Sequence, residues 1–262
     1  RLASETATAH LGGTPIFIRG DELQLGRGET IADTARIISG FCSALIIRTF
    51  AQADVDELGK WATIPVINAL TDDDHPTQLL ADWLTIRENF GENIAGRKFV
   101  YLGDGNNMAN TWLIMGAIMG AHVVAATPSG KWAPSSAAVA TAKKIAIQSG
   151  ATVEVTDDPE SAAKGASVLY TDVWMSMGDP ESERSEKSQV LAPFSVTEHL
   201  MSLTSSDSIF MHCLPAHRGE EVAASVIDGT RSVIWREAFH RRTTIQSLLY
   251  HLIRGEIQGV SH

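Results

Sequence analysis

Cysteine, positive charge and long apolar runs are all scarce in this 262-residue chain. Two cysteines, Cys42 and Cys213, are too few for a disulfide framework, so a reducing, cytoplasmic setting is expected. Lys and Arg number 21 against 31 Asp and Glu, a formal net charge of -10. Such a chain lacks the basic surplus that neutralises phosphates, and no nucleic-acid partner is expected. No apolar run approaches the roughly 18 residues of a membrane span, and no secretory signal is visible, so no membrane partner is expected. Aromatic residues make up 6% of the chain, and no repeat or low-complexity tract stands out.

What is present is alternation. Short β-type runs occur at Pro15–Ile18, Ala44–Arg48, Pro65–Asn68, Phe99–Gly103, His122–Ala126, Thr152–Val155, Val168–Asp172, Ile209–His212 and Ser232–Trp235. Helical patterns lie between most of them. "ETIADTARIISGFC" sets Ile31, Thr34, Ala35 and Ile38 on one face, and "SSAAVATAKKIAIQSG" ends at Gly150, a C-cap. A last helix is expected from Glu237 to about Gln258, with Ile245, Leu248, Leu249, Leu252 and Ile253 as its apolar stripe. This alternation predicts an α/β fold of parallel sheets with helices on both faces.

Chemistry-bearing residues collect at the predicted strand ends, where α/β proteins place their sites. Arg48 ends a strand, as a surface ion pair or a ligand. In "DDDHPTQLLADW" Pro76 suits the first helical turn, which sets His75 and Gln78 at a helix N-terminus, a place for capping or for an anion. "YLGDGNNMANTW" begins like a dinucleotide loop, but the third glycine is replaced by Met108. What remains is a tight turn presenting Asn106 and Asn107, structural or suited to a carboxylate or amine. "TDVWMSMG" places Asp172 at a strand end, ahead of Ser176 and Met177. The polar stretch Ser176–Gln189 reads as a solvated loop or a lid. "HCLPAHRGEEV", His212–Val222, offers Cys213 as nucleophile, metal ligand or core residue. No second Cys or His pair has zinc-site spacing, and the reading carries neither a metal nor a cofactor.

Taken together and in order, "LGRGETIADTA", "RTF", "HPTQLLAD", "GDGNNMANT", "DVWMSMG" and "HCLPAHRGEE" resemble the carbamoyltransferases over nearly the whole chain. The last two motifs resemble the ornithine branch. The aspartate branch carries an Arg after its His-Pro-Leu-Pro, where this chain has Cys-Leu-Pro-Ala.

The resemblance implies two α/β domains: residues 1–82 for carbamoyl phosphate, residues 83–236 for the amino acid, and residues 237–262 as a helix returning to the first domain. It implies Arg48, His75, Gln78, Arg241 and Leu214 as carbamoyl phosphate contacts. Asn107, Asp172, Ser176, Met177, Cys213 and Leu214 are implied as ornithine contacts, with Cys213, Asp172, His75 and Arg48 nearest the chemistry. It implies a homotrimer or higher assembly, and a place in arginine biosynthesis with the direction of flux left open. Two features depart from the family. The motif around Arg241 reads "EAFHR" where the family has Glu-Ala-Glu-Asn-Arg. Arg1 stands where the last Arg of a Ser-Thr-Arg-Thr-Arg phosphate loop belongs, so the expectation is a chain lacking the family's first strand and helix. A carbamoyltransferase for acylated ornithine or putrescine, and a non-catalytic amino-acid-binding paralogue, are the alternatives.

Overall fold

The computed structural model describes residues 1–22, 28–92, 94–175 and 179–256. The chain divides into two compact units: Arg1–Ala81 with Phe239–His262, and Asp82–Ala238.

The first unit contains α1 (Leu2–His10), α2 (Ile31–Phe41), β1 (Leu45–Arg48), α3 (Gln52–Trp61), β2 (Val66–Leu70) and the start of α4 (Pro76–Phe90). β1 and β2 pair in parallel through the α3 crossover, with Leu45 opposite Val66 and Ile47 opposite Asn68. α2 begins where Thr30 accepts the Asp33 amide on its side chain, an N-cap. The apolar stripe of the C-terminal helix contributes Ile245 and Leu249 to a cluster with Ala7 and Ile67, flanked by Leu248 and Leu252. Ile253, assigned to the same stripe from sequence, is half exposed instead.

The second unit carries β3 (Lys98–Leu102), α5 (Asn107–Ile118), β4 (His122–Ala126), α6 (Ser136–Ser149), β5 (Thr152–Thr156), α7 (Pro159–Ala163), β6 (Val168–Thr171), α8 (Arg184–Leu191), α9 (Glu198–Leu203), β7 (Ile209–His212), α10 (Ala224–Ile227) and the start of α11 (Ile234–Ile253). Its five strands are parallel in the order β5-β4-β3-β6-β7. The central strands are continuous apolar runs, as burial on both faces demands: Phe99–Leu102 and Val168–Tyr170 are fully buried, while the edge strand β5 is largely exposed. Gly150 caps α6 in the left-handed region (φ 78°), as its position predicts. β3 leads outward to β4 and β5 on one side, and β6 starts the other side. The strand order therefore reverses between β3 and β6, and the crevice outside their carboxyl ends is where such sheets bind ligands.

Three segments differ from the sequence reading. Pro15–Ile18 is not a strand: among the described residues no strand lies beside it, Pro15 has no N–H to donate, and Ile16, Phe17 and Ile18 are exposed. Ser232–Trp235 makes one parallel bridge, Ser232 to Phe210, before α11 begins at Ile234, three residues earlier than Glu237. Gln258, its expected end, lies outside the described residues. The polar stretch after Asp172 is not an irregular loop throughout. A 3-10 turn at Glu181–Glu183 leads into α8, and Lys187 is buried there, its Nζ 2.7 Å from Asp104 and 2.6 Å from Asp179. Apolar periodicity misses this helix because one of its inward positions is an ion pair.

Candidate active site

In the first unit the site residues come from three elements. Arg48 is the last residue of β1 and is exposed. His75 precedes Pro76, the first residue of α4, and its carbonyl accepts the Gln78 amide at 3.1 Å, so His75 occupies the N-cap. The loop before it is closed by Thr71, whose amide donates to the Asp74 carbonyl and whose hydroxyl donates to Gln52 Oε1 at 2.8 Å. Gln78 is buried in the first turn of α4, and Arg241 donates from Nη1 to its Oε1. Burial, then the charges of Arg241 and Arg48, lower the pKa of His75 to about 3. The imidazole is therefore neutral at physiological pH. Burial and Arg241 also lower the Arg48 guanidinium. The start of α1 lies within electrostatic range of Arg241 and Arg48. Two guanidinium groups and helix N-termini in reach of one another suit a multiply charged anion.

In the second unit the site sits at the switch point. Gly103 follows β3 with φ 132°, a conformation that favours glycine. At Gly105 a Cβ would lie 2.2 Å from the Ala133 backbone, so this glycine admits a close approach of chain to chain. Met108 is buried in α5, the position at which a dinucleotide loop needs its third glycine. Asn106 caps α5: its Oδ1 accepts the amides of Met108 (2.9 Å) and Ala109 (3.3 Å) and the Tyr101 hydroxyl (3.2 Å). Its Nδ2 donates to Asp172 Oδ2 at 3.1 Å. Asp172 Oδ1 accepts the Val173 amide at 2.8 Å and the Cys213 thiol at 2.9 Å. Burial, then the Asp172 carboxylate, push the Cys213 thiol well above its ordinary range. It is a neutral S–H donor and not a thiolate.

The turn after β7 is set by groups that the sequence does not single out. Buried His212 accepts the Leu214 amide on Nδ1 (2.8 Å), leaving Nε2 as the N–H that faces Glu221 Oε1 at 3.3 Å. Its own amide donates to Glu237 Oε2 at 3.0 Å. Leu214 has φ 59°, costly for a non-glycine residue by about 1–3 kcal/mol and held by these contacts. Glu221 and Glu237 are fully buried carboxylates. In sequence Glu221 ends the motif "HCLPAHRGEE" and Glu237 opens "EAFHR".

Of the residues expected from sequence, Arg48, His75, Gln78 and Arg241 are brought together in the first unit, and Asp172, Cys213 and Leu214 in the second. Asn107 is the first residue of α5 and half-buried, while its neighbour Asn106 makes the contact to Asp172. Ser176 and Met177 lie outside the described residues.

The first unit gathers cationic and neutral donors; the second builds around one fixed carboxylate. Two α/β units, one suited to an anion and the other built on a carboxylate suited to an amine, fit a transferase that takes one substrate of each kind. The chain belongs to the aspartate/ornithine carbamoyltransferase family. Residues 1–88 match its carbamoyl-P binding domain and residues 95–252 its Asp/Orn binding domain. The chain is 50% identical over 253 residues to the ornithine carbamoyltransferase of Anoxybacillus flavithermus, covering 97% of this chain and 80% of that one. It is 47% identical over 259 residues to that of Pyrococcus horikoshii, covering 99% and 81%. The solved ornithine carbamoyltransferase of Pyrococcus furiosus superposes with a TM-score of 0.92 at 46% identity, over 98% of this chain and 81% of that one.

Proposed function

We propose that this enzyme transfers the carbamoyl group of carbamoyl phosphate to the δ-amine of L-ornithine, giving L-citrulline and phosphate. The observation that carries this reading is the Cys213 thiol donating to Asp172 at the switch point of the second sheet. It supplies a fixed anion for the amine end of an amino acid and leaves no thiolate for covalent chemistry. Arg48, His75, Gln78 and Arg241 hold carbamoyl phosphate, and Leu214 contacts both substrates. Asn107, Asp172, Ser176, Met177 and Cys213 hold ornithine. Residues 1–82 with residues 237–262 serve the phosphate, and residues 83–236 serve the amino acid.

The amine must be neutral to attack. With an intrinsic pKa like that of lysine, about 10.4, removing its proton at pH 7 costs about 4.6 kcal/mol. Asp172 does not lower that cost, because an ionised neighbour stabilises the ammonium. Its role is to orient. Arg48 and neutral His75 donate to the carbonyl oxygen as charge develops on it, and Arg241 grips the departing phosphate. A neutral imidazole that donates without titrating avoids competing with the guanidiniums. Aligning the two substrates supplies at best ~7–11 kcal/mol of the barrier. Among the described residues no helix is long and apolar enough to cross a membrane. We place the enzyme in the cytoplasm, as a trimer or higher oligomer, in arginine biosynthesis.

Steady-state phosphate release that depends on the added amine, with each carbamoylated product identified by mass, tests the reading, with ornithine, N-acetylornithine and putrescine compared at saturating carbamoyl phosphate. Ornithine is expected to be preferred by orders of magnitude in kcat/KM. Equal or better turnover of putrescine or of the acylated amine would overturn it.

A further inference from the structure

The turn after β7 holds a second group of side chains, apart from the Cys213–Asp172 contact. His217, Glu220 and Glu221 each present a ligand atom, all within 4.8 Å of one another. We propose that they form a binding site for a divalent transition-metal ion of nitrogen-and-oxygen preference, such as Zn2+, Co2+ or Mn2+. Glu221 carries the argument. Its side chain is 0% exposed, and its Oε1 is engaged by the His217 amide and by His212 Nε2. Its Oε2 is buried and accepts no hydrogen bond. That oxygen lies 3.7 Å from His217 Nδ1, so it faces into the group. A buried carboxylate oxygen without a donor is costly, and a cation offsets the cost.

The backbone holds the three residues ready. The Glu220 amide donates to the His217 carbonyl (3.0 Å), Gly219 to Val222 (2.8 Å), and Val196 to the Glu221 carbonyl (2.9 Å). The His217 side chain is 51% exposed, which leaves the remaining coordination positions open to water. One imidazole and two carboxylates suit zinc, cobalt or manganese better than calcium, which takes six to eight oxygens. His217 shares a sequence motif with Cys213, but its partners here are the two glutamates, and the thiol is committed to Asp172. The site stands independently of the proposed activity.

Titration of the full chain with Co2+, followed by its visible absorption and by competition with Zn2+, tests this. One Co2+ per chain is expected, without a thiolate-to-cobalt band in the near ultraviolet. His217→Ala and Glu220→Gln, both at accessible positions, are each expected to weaken Co2+ at least about tenfold with circular dichroism unchanged. Unchanged affinity in both variants, absence of binding at millimolar Co2+, or a thiolate band that disappears in Cys213→Ser would overturn it.

Discussion

His75 and Cys213 stand in different units and are both held uncharged, by opposite surroundings. Around His75 burial is joined by two guanidinium groups, and the pKa falls to about 3. Around Cys213 burial is joined by the Asp172 carboxylate, and the pKa rises. Desolvation comes first in both cases, and the neighbouring charge has the sign that reinforces it. The difference is diagnostic of ligand charge. A set whose fixed charges are positive suits a phosphate-bearing substrate, and a set built on one carboxylate suits an amine. Neither titratable group is kept as a proton carrier at neutral pH: the imidazole stays neutral, and the thiol donates to Asp172.

The comparison breaks most completely if the cationic set is opened. In the proposed role Arg48 donates to the developing oxyanion, so Arg48→Met is expected to lower kcat about 10²–10³-fold, read in steady-state citrulline assays. It also removes a positive neighbour, so the His75 pKa should rise, measurable by NMR titration of the imidazole. On the other side, Asp172→Asn removes the fixed anion. A charged hydrogen bond is worth about 1.5–3 kcal/mol, so ornithine KM should rise about 10–100-fold while carbamoyl phosphate binding is nearly unchanged. The Cys213 thiol, freed of the carboxylate, should titrate at lower pH, which the pH dependence of alkylation by iodoacetamide reports. A Cys213 pKa that stays put in Asp172→Asn would mean that burial alone sets it.

Much of this contrast is legible before any coordinates. Strand ends mark Arg48, Asp172 and Cys213 because parallel strands are continuous apolar runs that stop abruptly where chemistry begins. Pro76 marks the N-terminus of α4, and through it His75 and Gln78. For the other participants the local signal is incomplete or missing. Asn106 and Asn107 are equivalent in sequence, and only the capping geometry of α5 decides which one meets Asp172. Glu221 and Glu237 look like surface acids, yet each is buried by a partner 9 or 25 residues away. Lys187 sits in the most charged stretch of the chain and pairs with Asp104, 83 positions earlier in numbering, as well as with Asp179. Buried ion pairs defeat hydrophobic patterning because the pattern scores the residue type and not its partner. Pro15–Ile18 fails in the opposite sense: its apolar run has strand composition, but among the described residues no strand lies beside it.

The contrast also sets opposite ends of the pH scale. For His75 the folded pKa, about 3, lies below the unfolded value near 6.5. Between these values the unfolded chain binds the extra proton, so stability is lost as pH falls through that window, by up to about 1.4 kcal/mol per pH unit. Denaturant melts of the wild type and of His75→Asn should diverge below pH ~6.5, with the variant less acid-sensitive; parallel curves would remove His75 from the account. For Cys213 the folded pKa is raised. The unfolded chain then releases its proton first, above about pH 8.5, and stability contributed by the neutral thiol is lost as pH climbs beyond that point.

The smallest expected effect separates donor from nucleophile. Cys213→Ser keeps a donor of similar size in reach of Asp172 Oδ1, and an O–H to a carboxylate forms a shorter, stronger bond than an S–H. If Cys213 acts by donating, the serine variant should retain turnover within about tenfold of wild type. Cys213→Ala leaves Asp172 with the Val173 amide and Asn106, and should fall further, chiefly in ornithine KM. A covalent role predicts another ranking. A serine with no base beside it is a far poorer nucleophile than a thiol, so Ser and Ala would fail together, by several orders of magnitude in kcat. The order Cys, Ser, Ala, spread over modest steps in KM, is what a protonated thiol beside a fixed carboxylate requires. An abrupt loss of kcat at the first step would return Cys213 to the nucleophiles and end the symmetry with His75.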